Sequence, residues 1–331
     1  MHLGYNPLNS SRFYRHDDIF CRVPHISCPL EKEYLYDYTG LAVPFPFDCN
    51  LCGDIVGVPC KKQTGATLDY TGGGALPSHN YYMAAPSRWG ACNRHVADLM
   101  SKWEYTSPRL PVIDEEYDEQ ATLVRGLLTA SACSRGDIVL YEAGARWGTW
   151  GFRGLSLVRL LRPDLSASAT FWEPEKMSTR ALAQVAQING FTNFTLFTDY
   201  FKTSQFLSAS SNVRVIHYMD LDIQGGEKNF CADSSFIRRC ADKVKLLKIG
   251  THSTDVHERL LSCLPQRLPT FRVKTALPFN CMRFGMKVHV YTNKDLRAVR
   301  NLSLFEQSAF GPIISCDGSI VLENSKFDTV C

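Results

Sequence analysis

The sequence predicts an α/β fold built on a doubly wound, mostly parallel sheet, with a loop-rich extension at its N-terminus. Three observations predict this class. The short apolar run Ile138–Tyr141 has the length and β-branched content of a buried parallel strand, and a glycine turn follows it. A helical pattern then begins at Thr149 and ends at Pro163. A second strand, Ser168–Trp172, completes a strand–turn–helix–strand unit that ends in an acid, Glu173.

The remaining elements alternate in the same way. A helix that leads into the first strand is predicted at Glu115–Ser131, because apolar residues share one face and acids crowd its first turns. After Glu173 the pattern predicts, in chain order, the helix Ser178–Ile188, the strands Phe194–Phe197 and Val213–Asp222, the helix Phe230–Ala241, the strand Val244–Ile249 and the helix Asp255–Leu264, which Pro265 stops. From Leu268 onward, V-H-V-Y-T and Asp317-Gly318 predict a terminal antiparallel hairpin, and Phe310–Leu322 is hairpin-like by itself.

Composition and charge exclude several classes of protein. The 331 residues are 45% hydrophobic and 21% charged, as in an ordinary soluble protein. A net charge of +3 without a dense Lys/Arg block argues against a nucleic-acid partner. No apolar run is long enough for a membrane span, and the first residues lack the hydrophobic region of a signal peptide. A cytoplasmic location is slightly favoured, and the secretory pathway stays open because a leader could have been lost.

Residues 1–114 are predicted to form an irregular region rich in Cys, Pro and Tyr, and residues 115–331 to form the α/β domain. The first region could serve as a lid or acceptor-binding cap. The chain has thirteen cysteines, but an α/β domain of this size does not need disulfides for stability. We therefore expect mostly buried or free thiols.

Five residues of the N-terminal region leave alternatives open. The pairs Cys49-x-x-Cys52 and Cys92-x-x-His95 have the spacing of zinc knuckles, but the gap between them is longer than in a compact zinc ribbon. Structural zinc, disulfides involving Cys49, Cys52 or Cys60, and unpaired thiols are all compatible with this pattern. Unpaired thiols are favoured, and no metal is assigned.

The glycine turn after the first strand indicates the kind of ligand. A dinucleotide fold has G-x-G-x-x-G, which places a pyrophosphate on the helix N-terminus. Here the turn reads E-A-G-A-R-W-G from Glu142 to Gly148, without the second glycine and with an acid just before it. A carboxylate there repels a pyrophosphate but tolerates a sulfonium or an amino group. Glu173, at the end of the second strand, is placed to accept hydrogen bonds from both ribose hydroxyls.

Three motifs in order resemble those of the FkbM-type family of S-adenosylmethionine-dependent methyltransferases. Glu142–Gly148 resembles (D/E)-x-G-A-x-x-G, Phe171–Pro174 resembles F-E-P with one extra residue, and Asp220–Glu227 resembles D-(I/V)-(E/Q)-G-(A/G)-E. The last motif departs mildly, with Gln224 where glutamate is common and Gly226 where alanine is common. The resemblance covers about residues 115–327.

The resemblance implies a seven-stranded class I methyltransferase (Rossmann-like) sheet with S-adenosyl-L-methionine as cofactor. It implies that the turn residues Glu142, Gly144, Ala145 and Gly148 hold the methionine portion. The fold also implies that the third strand ends beside the adenine, where Asp199 could accept from its amino group. An ordinary turn aspartate is the alternative for Asp199.

Further polar residues stand at the ends of the fourth and fifth strands, on the crevice side of such a sheet. Asp220 and Asp222 occupy alternate positions of an extended segment, so their side chains point to the same side. One could face the methyl donor while the other binds or deprotonates an acceptor hydroxyl. His252 is a candidate general base. The alternatives are a tight turn kept for packing at Asp220–Glu227, and a strand-to-helix junction at His252, where Ser253 caps the next helix.

The resemblance to the FkbM-type family implies an S-adenosylmethionine-dependent O-methyltransferase acting on a glycan or small metabolite, and Asp222 and His252 are its catalytic candidates. Asp220 joins the cofactor-side candidates. The competing hypothesis is a catalytically inactive binding or scaffold protein with the same fold, because Arg146 and Trp147 are bulky for a glycine turn. A dinucleotide or nucleotide-sugar enzyme is disfavoured by the turn itself. The sequence does not predict an oligomeric state.

Overall fold

The computed structural model describes the backbone of residues 34–36, 39–44, 60–61, 67–68, 117–134, 136–277, 305–308, 311–314 and 318–328. Side-chain surroundings are described for residues 39–42, 119–134, 136–277 and 318–328. The question of zinc, disulfides or thiols at Cys49, Cys52, Cys60, Cys92 and His95 therefore lies outside the described side chains. By its contacts the chain divides into two compact units, one of residues 1–120 and 280–316, and one of residues 121–279 and 317–331. The domain boundary predicted between residues 114 and 115 stays a prediction.

Within the described backbone, three short antiparallel pairs lie outside the main sheet: β1 (Tyr34–Tyr36) with β2 (Ala42–Pro44), β3 (Cys60–Lys61) with β4 (Thr67–Leu68), and β11 (Phe305–Ser308) with β12 (Gly311–Ile314). The main sheet and its helices are α1 (Tyr117–Cys133), β5 (Ile138–Ala143), α2 (Thr149–Leu161), β6 (Ala167–Trp172), α3 (Lys176–Ile188), β7 (Phe194–Phe197), α4 (Thr203–Ala209), β8 (Tyr218–Leu221), α5 (Ser234–Lys243), β9 (Leu246–Thr251), α6 (Thr254–Arg267), β10 (Phe271–Leu277) and β13 (Gly318–Asn324).

The main sheet has seven strands in the order β10-β13-β9-β8-β5-β6-β7. The pairs β9–β8, β8–β5, β5–β6 and β6–β7 are parallel, and β13 is antiparallel to both of its neighbours. From β5 the chain moves outward through β6 and β7, then returns to place β8 on the other side of β5. The strand order therefore reverses between β5 and β8, and such a switch point opens a ligand crevice at the carboxyl ends of the strands. The predicted mostly parallel, seven-stranded Rossmann-like fold is confirmed.

Three predictions about element boundaries are wrong in instructive ways. Pro265 does not stop the last helix, since α6 runs on to Arg267 with the proline inside its final turn. The fourth strand is much shorter than Val213–Asp222, because the chain before Tyr218 pairs only through a single bridge from Ile216 to Val244. The stretch Phe310–Leu322 is not a hairpin, because β12 pairs with β11 while β13 inserts between β9 and β10. The predicted V-H-V-Y-T strand lies outside the described residues.

Apolar side chains from both β-strands and helices pack into one buried cluster beside the sheet, in which aromatic rings are prominent. Trp172 at the end of β6 is fully buried, stacks on Phe197 of β7 and meets Tyr141 of β5 edge-on. These contacts join the strand ends that carry the acids. The carboxyl edge of the sheet is therefore rigidly supported from within.

The expectation of free thiols is wrong for most of the described cysteines. Cys231 and Cys263 form a disulfide that joins the segment before α5 to α6, and Cys133 is also disulfide-bonded. Among the residues with described side chains, Cys240 is the free cysteine, and it is buried. Burial raises the pKa of the Cys240 thiol well above its usual value, and the charge of Asp233 adds to this. A pairing such as this, between a loop and a helix 32 residues further along the chain, has no signature in local sequence.

Candidate functional site

The turn after β5 lies against the loop after β8, at the switch point of the sheet. Gly144 has a φ of 79°, and a Cβ built there would lie 1.8 Å from the carbonyl oxygen of Asp222. The Asp222 N–H in turn donates to the Ala143 carbonyl at 2.9 Å. Only glycine combines the left-handed backbone with this close approach of a neighbouring chain. The absence of a side chain at Gly144 thus allows the turn after β5 and the loop after β8 to lie in contact.

Glu142, at the penultimate position of β5, supports the turn from inside. Helix α2 begins after Gly148, which has no side chain to cap it. The Trp150 and Gly151 N–H groups instead donate to the two Glu142 carboxylate oxygens at 3.0 and 2.7 Å. An acid at this point stabilises the positive end of the helix, which explains why the motif has one. Only 2% of Glu142 is exposed, so little of its surface is open to a cofactor. Its predicted contact with a cofactor stays a prediction.

A row of three buried ionisable groups crosses β5, β8 and β9 behind the crevice. Glu142 is registered with Asp220, and Asp220 with Lys248, so the three side chains lie on one face. Asp220 and Lys248 are 1% and 0% exposed and form an ion pair at 3.1 Å. Burial, and then the charge of Asp220, raises the pKa of Glu142 well above its usual value, against the opposing effects of its two N–H donors and Lys248.

Glu173 follows β6 directly, and backbone N–H groups orient its carboxylate. The Arg146 N–H donates to Oε2 at 2.7 Å and the Glu175 N–H to Oε1 at 2.8 Å. Each oxygen keeps a second lone pair for another donor. Burial raises the pKa of Glu173 above its usual value, an effect that these two N–H bonds oppose. Glu173, which follows β6, is thus hydrogen-bonded to the glycine turn that follows β5.

Asp199 follows β7 on the same edge of the sheet and is partly exposed. Its carboxylate forms an ion pair with Lys202 and accepts the Tyr200 N–H. The hydrogen bond from Lys202 is the main cause that lowers the pKa of Asp199. A contact with adenine would compete with Lys202, and it stays a prediction.

Asp222 and His252 lie in direct contact, although they follow different strands. The Asp222 Oδ1 is 3.0 Å from Nε2 of His252, and 38% of the Asp222 side chain is exposed. A third group, Glu227, completes the cluster, with Oε1 at 3.2 Å from Nδ1 of the same imidazole. Burial favours a raised pKa for Asp222, but the charge and hydrogen bond of His252, with the charges of Lys248 and Arg146, lower it below its usual range. Both predicted catalytic candidates are therefore brought together.

The large side chains of the glycine turn differ in where they lie. Trp147 packs inward, with 5% of the residue exposed, and its ring lies 5.3 Å from the guanidinium of the fully buried Arg153. Trp150 holds the same cation at 5.2 Å. Arg146 has a φ of 51° and lies within electrostatic reach of both Glu173 and Asp222. The ring of Trp147 thus packs away from the crevice. The charge of Arg146, by contrast, acts on the two crevice carboxylates, Glu173 and Asp222.

Two residues of this site did not stand out in the sequence. Lys248 lies in the apolar stretch L-L-K-I-G, where a charge at a position expected to be buried was the available signal. Glu227 was identified only as the last residue of the third motif. Among the residues with described side chains, Asp222, Glu227 and His252 are the group whose donor atoms, all within 4.8 Å of one another, could also reach one metal ion. In the described part of the chain no helix is long and apolar enough to cross a membrane.

Comparisons with known proteins give distant likenesses of fold. No family model matches this chain, and no curated protein is similar to it in sequence. Similar solved structures include an rRNA methylase from Streptococcus thermophilus, at 11% identity and a TM-score of 0.36, covering 63% of this chain and 96% of that one. A precorrin-6y C5,15-methyltransferase from Geobacter metallireducens is 10% identical, with a TM-score of 0.37 and coverages of 62% and 87%. A ribosomal protein L11 methylase from Lactobacillus delbrueckii is 8% identical, with a TM-score of 0.35 and coverages of 63% and 79%. At these values the likenesses carry no conclusion about activity.

Proposed function

We propose that this chain is an S-adenosylmethionine-dependent methyltransferase that transfers a methyl group to a hydroxyl of a glycan or small metabolite. The observation that carries the proposal is the set of polar groups at the switch point. A glycine turn backed by Glu142, a carboxylate held by that turn, and an Asp–His pair all lie at the carboxyl edge of one sheet. The membership in the FkbM-type family that its motifs suggest belongs to the same proposal.

The donor set fits the proposed cofactor without a phosphate site. Both Glu173 oxygens are oriented by backbone N–H groups and retain lone pairs, as acceptance of two vicinal ribose hydroxyls requires. The N-terminus of α2, where a dinucleotide fold would place a pyrophosphate, is already occupied by the Glu142 carboxylate. When bound, S-adenosylmethionine would supply an electrophilic methyl group next to the sulfonium.

The acceptor side is proposed from Asp222 and His252. A hydroxyl needs a base when it becomes a nucleophile, and an imidazole at a strand end beside an exposed carboxylate can provide one. Asp222, the more exposed of the two, would orient the hydroxyl towards Nε2 of His252. We keep the expectation that the acceptor is not a nucleic acid, in line with the small net charge of +3.

One observation favours the competing scaffold function. The positive charge of Arg146 acts on both Glu173 and Asp222, so a cation is already present near the place proposed for a sulfonium. Trp147 no longer supports this alternative, because its ring is packed against Arg153. The two functions therefore differ in a single measurable property, which is binding of the cofactor.

Calorimetric titration of the full chain with S-adenosylmethionine and S-adenosylhomocysteine tests the proposal. We expect micromolar binding, weakened at least about tenfold by Glu173→Ala, which corresponds to about 1.4 kcal/mol. Glu175→Ala is the matched control, because Glu175 lies two residues after Glu173 but its carboxylate caps α3 by accepting from the Met177 and Ser178 N–H groups. That variant should lose stability and keep its affinity. No binding by the folded wild-type chain up to millimolar concentration would leave the scaffold function in its place.

A further inference from the structure

Glu227 lies on the closed side of His252, opposite the side that solvent reaches. It belongs to a short 3-10 helix, Gly226–Asn229, that follows the turn after β8. Its side chain is 0% exposed, whereas that of Asp222, on the other imidazole nitrogen, is 38% exposed. The two nitrogens of one imidazole therefore face a buried carboxylate and an accessible one.

The backbone fixes the direction of the Glu227 carboxylate. The Ile223 N–H donates to Oε1 at 3.0 Å, and the Gly225 N–H donates to Oε2 at 2.6 Å. The chain curls around the carboxylate through two consecutive residues with positive φ, Gln224 at 52° and Gly225 at 100°. A non-glycine residue in this region carries strain, which the hydrogen bonds to Glu227 offset. The position of the Glu227 carboxylate is thus fixed by the backbone and does not depend on His252.

This fixed carboxylate distinguishes the two tautomers of His252. An imidazole nitrogen that carries hydrogen is attracted to a carboxylate oxygen at 3.2 Å, whereas a nitrogen lone pair is repelled by it. Asp222 attracts a hydrogen on Nε2 in the same way, but water screens this attraction because 38% of the Asp222 side chain is exposed, whereas Glu227 is fully buried. The stronger attraction is therefore to a hydrogen on Nδ1. The exchangeable position is Nε2, which faces the accessible Asp222.

We propose that Glu227 is a positioning residue that holds His252 in the tautomer with hydrogen on Nδ1, so that Nε2 can receive the proton of an acceptor hydroxyl. The inference rests on the proposed function for its catalytic meaning, but not for the tautomer itself. In the transfer, the acceptor O–H bond breaks and its proton goes to Nε2. An oxygen electron pair forms the bond to the methyl carbon of S-adenosylmethionine, as the carbon–sulfur bond breaks and its pair goes to sulfur. The logic is that of a base oriented by a buried carboxylate.

A metal ion fits this cluster less well than a proton does. The donor atoms of Asp222, Glu227 and His252 lie within 4.8 Å of one another. A cation would bind one imidazole nitrogen and draw both carboxylates to that side. Here the two carboxylates face opposite nitrogens, at 3.0 and 3.2 Å. This arrangement suits a ring that keeps hydrogen on Nδ1 and gains a proton on Nε2 during the transfer.

Histidine NMR on the isotope-labelled, chelator-treated full chain tests the inference without cofactor or acceptor. The chain has nine histidines, so the His252→Gln variant identifies the resonances of His252. At a pH where His252 is neutral, we expect the wild-type ring to carry hydrogen on Nδ1. A wild-type ring with hydrogen mainly on Nε2 would overturn the proposal, and this measurement needs no variant of Glu227.

Two variants sharpen the result. Glu227→Gln removes the charge at similar volume and should shift the tautomer ratio towards Nε2–H about tenfold or more, since hydrogen bonds to charged groups are the strong ones. Asp222→Asn is the control, because it alters the carboxylate on the opposite nitrogen and should leave hydrogen on Nδ1. Equal ratios in wild type and a folded Glu227→Gln, or tight Zn²⁺ binding that Glu227→Gln abolishes, would contradict the proposal. Failure of cofactor binding would instead count against the proposed function and leave the tautomer result intact.

Discussion

Substitution of Gly144 by alanine tests whether the turn after β5 really touches the loop after β8, which contains Asp222. In Gly144→Ala, the new Cβ would meet the Asp222 carbonyl oxygen at 1.8 Å and its carbon at 2.7 Å. Backbone cannot yield as a flexible side chain can, so the loop after β8 must move. Because Asp222 is part of that loop, the change should also disturb its contact with His252.

Gly190→Ala supplies a matched control for the backbone component. Gly190 has a φ of 62°, close to the 79° of Gly144, but a Cβ there meets nothing within 4 Å. Both variants should lose about 1–2 kcal/mol from the left-handed backbone. Gly144→Ala should lose about 1–3 kcal/mol more from overpacking. Its Tm should therefore lie about 2–12 °C below that of Gly190→Ala, if each kcal/mol is worth about 2–4 °C in a domain of this size.

Urea unfolding followed by tryptophan fluorescence, together with thermal melts, measures this difference. The informative quantity is the free energy of unfolding of one variant relative to the other, which removes the common backbone strain. If the two variants agree within about 0.5 kcal/mol, the close approach of Gly144 to Asp222 does not exist in solution. A stable Gly144→Ala that binds cofactor like the wild type would refute the geometry of the crevice as well.

Three further predictions concern groups around the site. Lys248→Met should lower the free energy of unfolding by about 3–5 kcal/mol, because it leaves the Asp220 carboxylate buried without its ion pair. The double variant Lys248→Met with Asp220→Leu should recover most of this loss, because no buried charge of the pair remains. Urea titrations of the two variants measure both losses, and equal losses would contradict the prediction. Burial, with the charge of Lys245, lowers the pKa of His217 from 6.5 to about 4, so its contribution of up to about 3 kcal/mol is complete above pH 6.5 and is lost as the pH falls towards 4. Stability measured between these pH values should fall less steeply in His217→Gln, and an unchanged slope would reject that assignment. Reduction of the Cys231–Cys263 disulfide, which spans 32 residues, should cost about 3–4 kcal/mol, and non-reducing peptide mapping should recover this pair without prior oxidation.

The sequence by itself determined the order and type of the elements around the turn, and which acids end the strands. Apolar runs of strand length and helical stripes are local properties, so β5, α2, β6 and β7 could be predicted nearly to their observed bounds. The placement of Glu173, Asp222 and His252 near strand ends followed from the same pattern. Parallel strands then bring those ends to one edge without further information.

Only the tertiary structure decided which of these groups meet. The carboxylate of Glu142 turned out to cap a helix, and Glu227 turned out to face Nδ1 of His252. Local sequence patterns did not predict that Lys248 pairs with Asp220, or that β13 inserts between β9 and β10. Such pairs join residues far apart in the chain, and their distances depend on strand order and register, which the periodicity of any one segment does not encode.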